Sequence, residues 1–183
     1  MSYFNTVQIY DGSSGPAKID ASTHGMLAIS HIEESIHEGS HYFVEGYDTI
    51  GSAATIDFTI VTPDTTTWAE MRFQITGSLK FTIQVYEGTD ADADGTLATP
   101  INSNRNSNNT SVLVVRRDPT INTVGDLIGG QSYGDNKKYG GTAEKDDFMI
   151  LEQGQTYLYR ITSNAASNVL SFAGRWMEHV SEE

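Results

Sequence analysis

Cysteine is absent from the chain. Disulfides, thiolate metal sites and cysteine nucleophiles are therefore excluded. Long apolar runs are missing as well. No stretch comes near the roughly 18 consecutive apolar residues of a membrane-spanning helix. The first residues, Met1, Ser2, Tyr3, Phe4, Asn5 and Thr6, lack the basic start and apolar run of a secretory signal. The expectation is a soluble protein made in a cytoplasm. Basic residues are scarce: 11 Lys and Arg stand against 24 Asp and Glu, a net charge of −13. As far as Met71 the only Lys or Arg is Lys18, against ten carboxylates. Such a field repels phosphate, so neither nucleic acid nor an anionic membrane is expected as a partner.

What remains is a chain of 183 residues, 38% hydrophobic, with 17 glycines and many Thr, Ser and Asn. The size suits one domain (1–183), with residues 1–20 as an N-terminal arm. Period-two alternation, the strand signature, recurs. Ile56, Phe58 and Ile60 alternate in 55–61; Ala69, Met71, Phe73 and Ile75 in 68–76; Leu79, Phe81, Ile83 and Val85 in 79–86. Gly77-Ser78 separates the last two segments, which predicts a hairpin. Tyr157, Tyr159 and Ile161 alternate again, and Leu170, Phe172 and Trp176 share one face of a final strand. Shorter runs at 6–10, 112–115 and 148–151 add further strands. Residues 26–37 fit a helix, with Ile29, Ile32 and Ile36 on one side and Gly39 as a stop, or an extended stretch. The extended reading is preferred because the surrounding segments are β. Residues 88–100, 101–110 and 125–142 read as loops, acidic, Asn-rich and glycine-rich in turn. About eight short strands joined by polar turns predict an all-β antiparallel sandwich, with a jelly roll as first choice.

Few constellations carry chemistry. His31, His37 and His41 lie close in sequence and offer a candidate transition-metal site. His37-Glu38-Gly39-Ser40-His41 has the H-E-x-x-H spacing, yet Gly39 would break the helix that this motif needs. Asp90, Asp92, Asp94 and Gly95 spell the first half of a calcium loop. The bidentate Glu expected at its twelfth position is Ile101. A polar strand and an acidic loop tip are the simpler readings, so no metal and no cofactor are expected. Gly130-Gln131-Ser132-Tyr133-Gly134 has the G-x-S-x-G spacing, but it lies in a glycine-rich segment with no helix pattern after it, so it does not read as a nucleophile elbow; there is no G-x-G-x-x-G and no phosphate loop. Nine tyrosines and two tryptophans are enough to line a sugar-binding face, but most fall in alternating strands, where core and interface packing is the simpler role.

Three segments carry a family resemblance. Ile36-His37-Glu38-Gly39-Ser40-His41-Tyr42-Phe43-Val44 resembles a stretch of small tailed-bacteriophage virion proteins. Thr99-Pro100-Ile101-Asn102-Ser103-Asn104-Arg105-Asn106-Ser107 resembles their Asn/Arg-rich loop. Leu151-Glu152-Gln153-Gly154-Gln155-Thr156-Tyr157, followed by Arg175-Trp176-Met177-Glu178-His179, resembles their C-terminal hairpin. The likeness runs from about Asp20 onward, and the Asp90–Gly95 loop departs from it. It implies a jelly-roll or related β-sandwich component of the virion, of a kind that decorates capsids or builds head fibres and tails.

The expectation is a non-enzymatic capsid decoration protein on the virion surface, made in the host cytoplasm. Its partners would be the major capsid protein and itself, as a homotrimer. Glu33, Glu34, Glu38, Glu45 and Asp48 are the candidate docking residues within the acidic first part of the chain. The alternative is a receptor- or glycan-binding module of a head fibre or tail, with a host surface glycan as ligand. A glycan hydrolase is the remote third reading.

Overall fold

The computed structural model describes residues 30–134, 141–144 and 149–180. The strand expected at 6–10 and the arm at 1–20 lie outside the described residues. In chain order the elements are α1 (His31–Glu38), β1 (His41–Ile50), β2 (Thr55–Val61), β3 (Thr67–Gly77), β4 (Phe81–Glu87), β5 (Asp90–Ala91), β6 (Thr96–Leu97), β7 (Ile101–Asn102), β8 (Val114–Arg117), β9 (Ile121–Thr123), β10 (Asp126–Tyr133), β11 (Gly141–Glu144), β12 (Met149–Leu151), β13 (Thr156–Ser163) and β14 (Asn168–Val180).

The strands form an antiparallel sandwich. One sheet runs β11-β3-β14-β1-β7, with β12 also on β3; the other runs β10-β4-β13-β2-β8-β6. The pairing has a simple logic. β1 pairs with β14, β2 with β13, β3 with β11 and β12, and β4 with β10. The first half of the chain is thus one arm of a long ribbon and the last part is the other. Successive strands of each arm change sheet, and rolling the ribbon brings β14 beside β3 and β13 beside β4. That is the jelly-roll arrangement. The segment from β5 to β9 is inserted between β4 and β10. It finishes one side of the sandwich, with β7 added to β1 and β8 to β2.

The alternating residues face inward as their period demands. Ile56, Phe58, Ile60, Met71, Phe73, Ile75, Tyr159, Ile161, Leu170, Phe172 and Trp176 are all buried in one core. Aromatic rings join the two sheets: Phe58 lies 4.3 Å from Phe172, and Phe73 stacks 4.6 Å from Tyr159. Such pairs add about 0.5–1.5 kcal/mol beyond area burial.

Three expectations are corrected. Gly77-Ser78 is not a hairpin turn, because β3 and β4 belong to opposite sheets. It is a corner of the rolled ribbon. A Cβ on Gly77 would come 2.4 Å from the Phe81 ring, so only glycine lets the chain turn so tightly over that side chain. Asn168, fully buried, locks the corner by accepting from the Leu79 N–H (2.8 Å) and donating to the Lys80 carbonyl (3.0 Å). Residues 126–133 of the glycine-rich segment form a strand, β10, not a loop. And residues 31–38 are helical, not extended.

The helix has clear local causes. Ser30 and Glu33 form a capping box: the Ser30 hydroxyl accepts from the Glu33 N–H, and the Glu33 carboxylate accepts from the Ser30 N–H. Gly39 ends the helix at φ 74°, in the left-handed region. Its N–H donates to Ile36, and the Ser40 N–H reaches back to Ser35. The Asn-rich segment then clasps this end. Asn102 donates to the Gly39 carbonyl (2.8 Å), Asn109 donates to the same oxygen (3.2 Å), and Asn104 donates to the His37 carbonyl (3.1 Å). The asparagines thereby take up carbonyls that a helix end leaves without partners. Asn102→Ala removes a buried donor. It is expected to cost about 2 kcal/mol and to lower the melting temperature by about 4–8 °C. Asn106→Ala, at an exposed position, should leave the temperature unchanged within about 1 °C. Calorimetry of both variants tests the clasp.

Candidate docking surface

The five acidic candidates fall in three different places. Glu33, Glu34 and Glu38 lie exposed on α1. Glu33 is engaged at the cap, where hydrogen bonds from the Ser30 backbone and hydroxyl hold its carboxyl below the usual range. Glu34 and Glu38, one turn apart, form the acidic face of α1. Glu45 lies on the outer face of β1 and pairs with Arg175. Asp48, three residues on, points to the other side of the strand. It pairs with Arg117 and accepts from the Thr49 N–H (2.7 Å), and the Arg117 hydrogen bond is the main cause of a carboxyl held low. Among the described residues these five carboxylates do not make one continuous face. Two of the five carboxylates are neutralised by Arg117 and Arg175, and a third holds a helix end.

The histidines do not converge either. His31 and His37 are exposed on α1, whereas His41 is buried at the start of β1. The His41 Nδ1 lies 2.6 Å from the Ser103 hydroxyl. Burial, and secondarily Arg175, lowers its pKa. The break at Gly39 sends His41 into a strand and separates it from the helix that carries the other two. His31 instead sits edge-on to His179 at 6.2 Å. Among the described residues no group of three His, Asp or Glu side chains is placed to hold a metal.

The acidic loop is held by protein donors. Asp94 accepts from the Thr120 N–H and hydroxyl, both at 2.7 Å, and these bonds lower its pKa. Asp92 accepts from Asn122 (3.0 Å). Asp90 is in the short strand β5, paired with β9. Side-chain hydrogen bonds from Thr120 and Asn122 thus occupy carboxylates that a calcium loop would aim at the ion. Calcium binding no tighter than about millimolar is expected. Titration calorimetry decides: micromolar affinity that disappears in Asp92→Ala would refute it.

The strongest polar site was not anticipated from the sequence. Glu178 is 8% exposed on the core side of β14. It accepts from the Ser111 hydroxyl (2.5 Å), the Trp176 Nε1–H (2.9 Å) and the Val112 N–H, which lies 3.1 Å from both of its oxygens. Every contact is a donor, as an ionised carboxylate requires. The signal was there to read: Glu178 shares the buried side of a strand with Trp176, where a charge needs dedicated partners. On the opposite sheet Arg160 grips Asp57 with two bonds, 2.9 and 2.7 Å. Both sites fasten parts of the sandwich to each other, and Glu178 with Val112 also borders a shallow, open cleft beside Gly39 and Asn109.

An apolar cleft of about 320 Å³ lies at the side of the sandwich away from the insertion. Met71, Phe73, Ile83, Ile128, Tyr133 and Met149 are among its walls. No family model matches the chain, and no curated protein matches it either.

Proposed function

We propose that this protein is a non-enzymatic structural component of a tailed-bacteriophage virion, a capsid decoration protein that binds the outer shell. The jelly-roll sandwich agrees with what the sequence resemblance implies. The observation that supports an assembling protein most directly is β10. It is the longest edge strand among the described residues, eight residues, whereas the other sheet edges end in strands of two to four. Leu127 and Ile128 on it are 58% and 43% exposed. No charged residue or proline occurs from Leu127 to Tyr133. A bulge at Leu127–Gly129 interrupts the pairing with β4, but Gly129–Tyr133 continue in register with Val85–Phe81. Edge strands normally carry Lys, Pro or a short length to prevent pairing with other chains. An edge segment without charge or proline, from Leu127 to Tyr133, suits a subunit that associates.

In this reading the protein forms a homotrimer. β10 of one copy meets a different surface of the next, as ring closure by a three-fold axis requires. The face of α1 that bears Glu34 and Glu38 meets a basic patch on the major capsid protein.

Sedimentation velocity at about 10 µM should give a trimer, a concentration at which contacts of roughly standard interface size persist. Leu127→Lys with Ile128→Lys should give a folded monomer, because two exposed charges oppose burial of that edge at little cost to the core. Co-sedimentation with undecorated capsids checks attachment. A monomer that fails to bind capsids at any salt concentration overturns the proposal.

A further inference from the structure

We propose that the outer face of the β3-β14-β1 sheet is a binding site for a neutral oligosaccharide, a function independent of shell docking. The face is read directly from the register. Across the sheet, Tyr47 pairs with Ser171 and Ser171 with Thr76. In the next outward-facing row Glu45 pairs with Ala173 and Ala173 with Gln74. The row beyond that contains Phe43, Arg175 and Arg72. The central strand β14 thus contributes short side chains, Ser171 and Ala173, while its neighbours contribute longer ones. The result is a trough of about 500 Å³ with Ser171, Ala173 and Thr76 on its floor. Tyr47 and Glu45 stand on one side, Gln74 on the other, and Arg175 at the end.

Three properties select the ligand class. First, Tyr47 is 78% exposed, the most exposed large hydrophobic side chain among the described residues. All the other tyrosines whose burial is described are at least partly covered. An aromatic ring left in water beside a trough offers a flat apolar surface, suited to the C–H face of a sugar ring. Second, the polar groups around it are hydroxyls, an amide and a carboxylate–guanidinium pair, donors and acceptors at the spacing of adjacent strands. Hydroxyls of a pyranose both donate and accept, and so match such a mixed set. Third, the charge is locally balanced. Glu45 Oε1 lies 2.5 Å from Arg175 Nη2. In a chain of net charge −13, a trough whose two lining charges, Glu45 and Arg175, pair with each other favours a neutral ligand over a cationic peptide or an anionic phosphate. The mix of polar groups also disfavours an apolar protein partner, which would leave them desolvated.

The test uses the full-length protein with cellotriose, mannotriose and chitotriose, followed by saturation-transfer NMR and calorimetry. At least one trisaccharide should bind saturably, and Tyr47→Ala should weaken that binding about tenfold or more, equivalent to roughly 1.4 kcal/mol. Gln74→Ala should weaken it several-fold. Tyr47→Ala should keep the wild-type melting temperature, because the ring is exposed, and should keep capsid attachment. Absence of binding by all three sugars overturns the proposal. So does binding that Tyr47→Ala and Gln74→Ala leave unchanged. If Tyr47→Ala instead abolishes capsid attachment without any sugar binding, the face belongs to the shell contact, which refutes the glycan site and leaves the docking reading intact.

Discussion

Glu178→Gln is expected to lower the melting temperature by about 6–12 °C, the equivalent of about 3 kcal/mol in a domain of this size. The carboxylate receives hydrogen bonds from Ser111, Val112 and Trp176 while nearly excluded from water. Glutamine preserves the shape but replaces one acceptor oxygen by an NH2 group. With the amide oxygen keeping the three donors of Oε1, that group would sit in the place of Oε2 against the Val112 N–H; a buried donor without an acceptor costs about 1–3 kcal/mol, with more for the loss of a charge-assisted bond. Ser111→Ala should cost less, about 1 kcal/mol, because the Val112 and Trp176 bonds survive. The network also explains how the insertion is fastened: Ser111 and Val112 lie ahead of β8, and Glu178 ties them to β14. Differential scanning calorimetry of the two variants is the measurement. A drop for Glu178→Gln no larger than that for Ser111→Ala would show that the carboxylate is not the organising group.

Attachment to undecorated capsids should slow about tenfold or more as salt rises from 50 to 500 mM, while release stays nearly constant. Exposed charges are screened over roughly 8–10 Å near physiological salt, so an acidic docking face steers encounter more than it holds the complex. Glu34→Gln with Glu38→Gln should reproduce part of that slowing at low salt. The pair is chosen for a structural reason. Glu33 caps the helix, and its replacement would mix docking with helix stability; Glu45 and Asp48 are ion-paired with arginines. Surface plasmon resonance on immobilised capsids separates the two rates. Association that is indifferent to salt, or quickened by it, would leave the charge of −13 as a device for solubility. The shell contact would then move to β10, the loops or residues 1–29.

Much of the sandwich was legible because its strands are half buried. One face of β2, β3, β13 or β14 meets the core, so apolar residues recur with period two, and a local pattern reports a global fact. Where that link fails, so does the reading. β10 is an edge strand with Gly129-Gly130 at its centre and most of its side chains exposed. Without a buried face there was no alternation to find. α1 did have a local signature, Ser30-x-x-Glu33 followed by Gly39, and it outweighed the β character of its neighbours. The period of two also says nothing about which strand lies beside which. Gly77-Ser78 satisfies the spacing of a hairpin, and only the rolled ribbon reveals it as a corner.

The acidic candidates show the same division. That residues 1–71 are strongly acidic follows from composition alone. Which carboxylates remain free depends on Arg117 and Arg175, 69 and 130 residues away from their partners in the chain. The strand-forming segments, the absence of thiol chemistry and the sign of the field were determined by the sequence itself, because each depends on residues close together or on simple counts. The pairing of β1 with β14, the Glu178 network, the edge position of β10 among the described strands and the trough beside Tyr47 were decided by the tertiary structure. Each of them requires residues far apart in the chain to meet, and that meeting depends on the register of whole sheets.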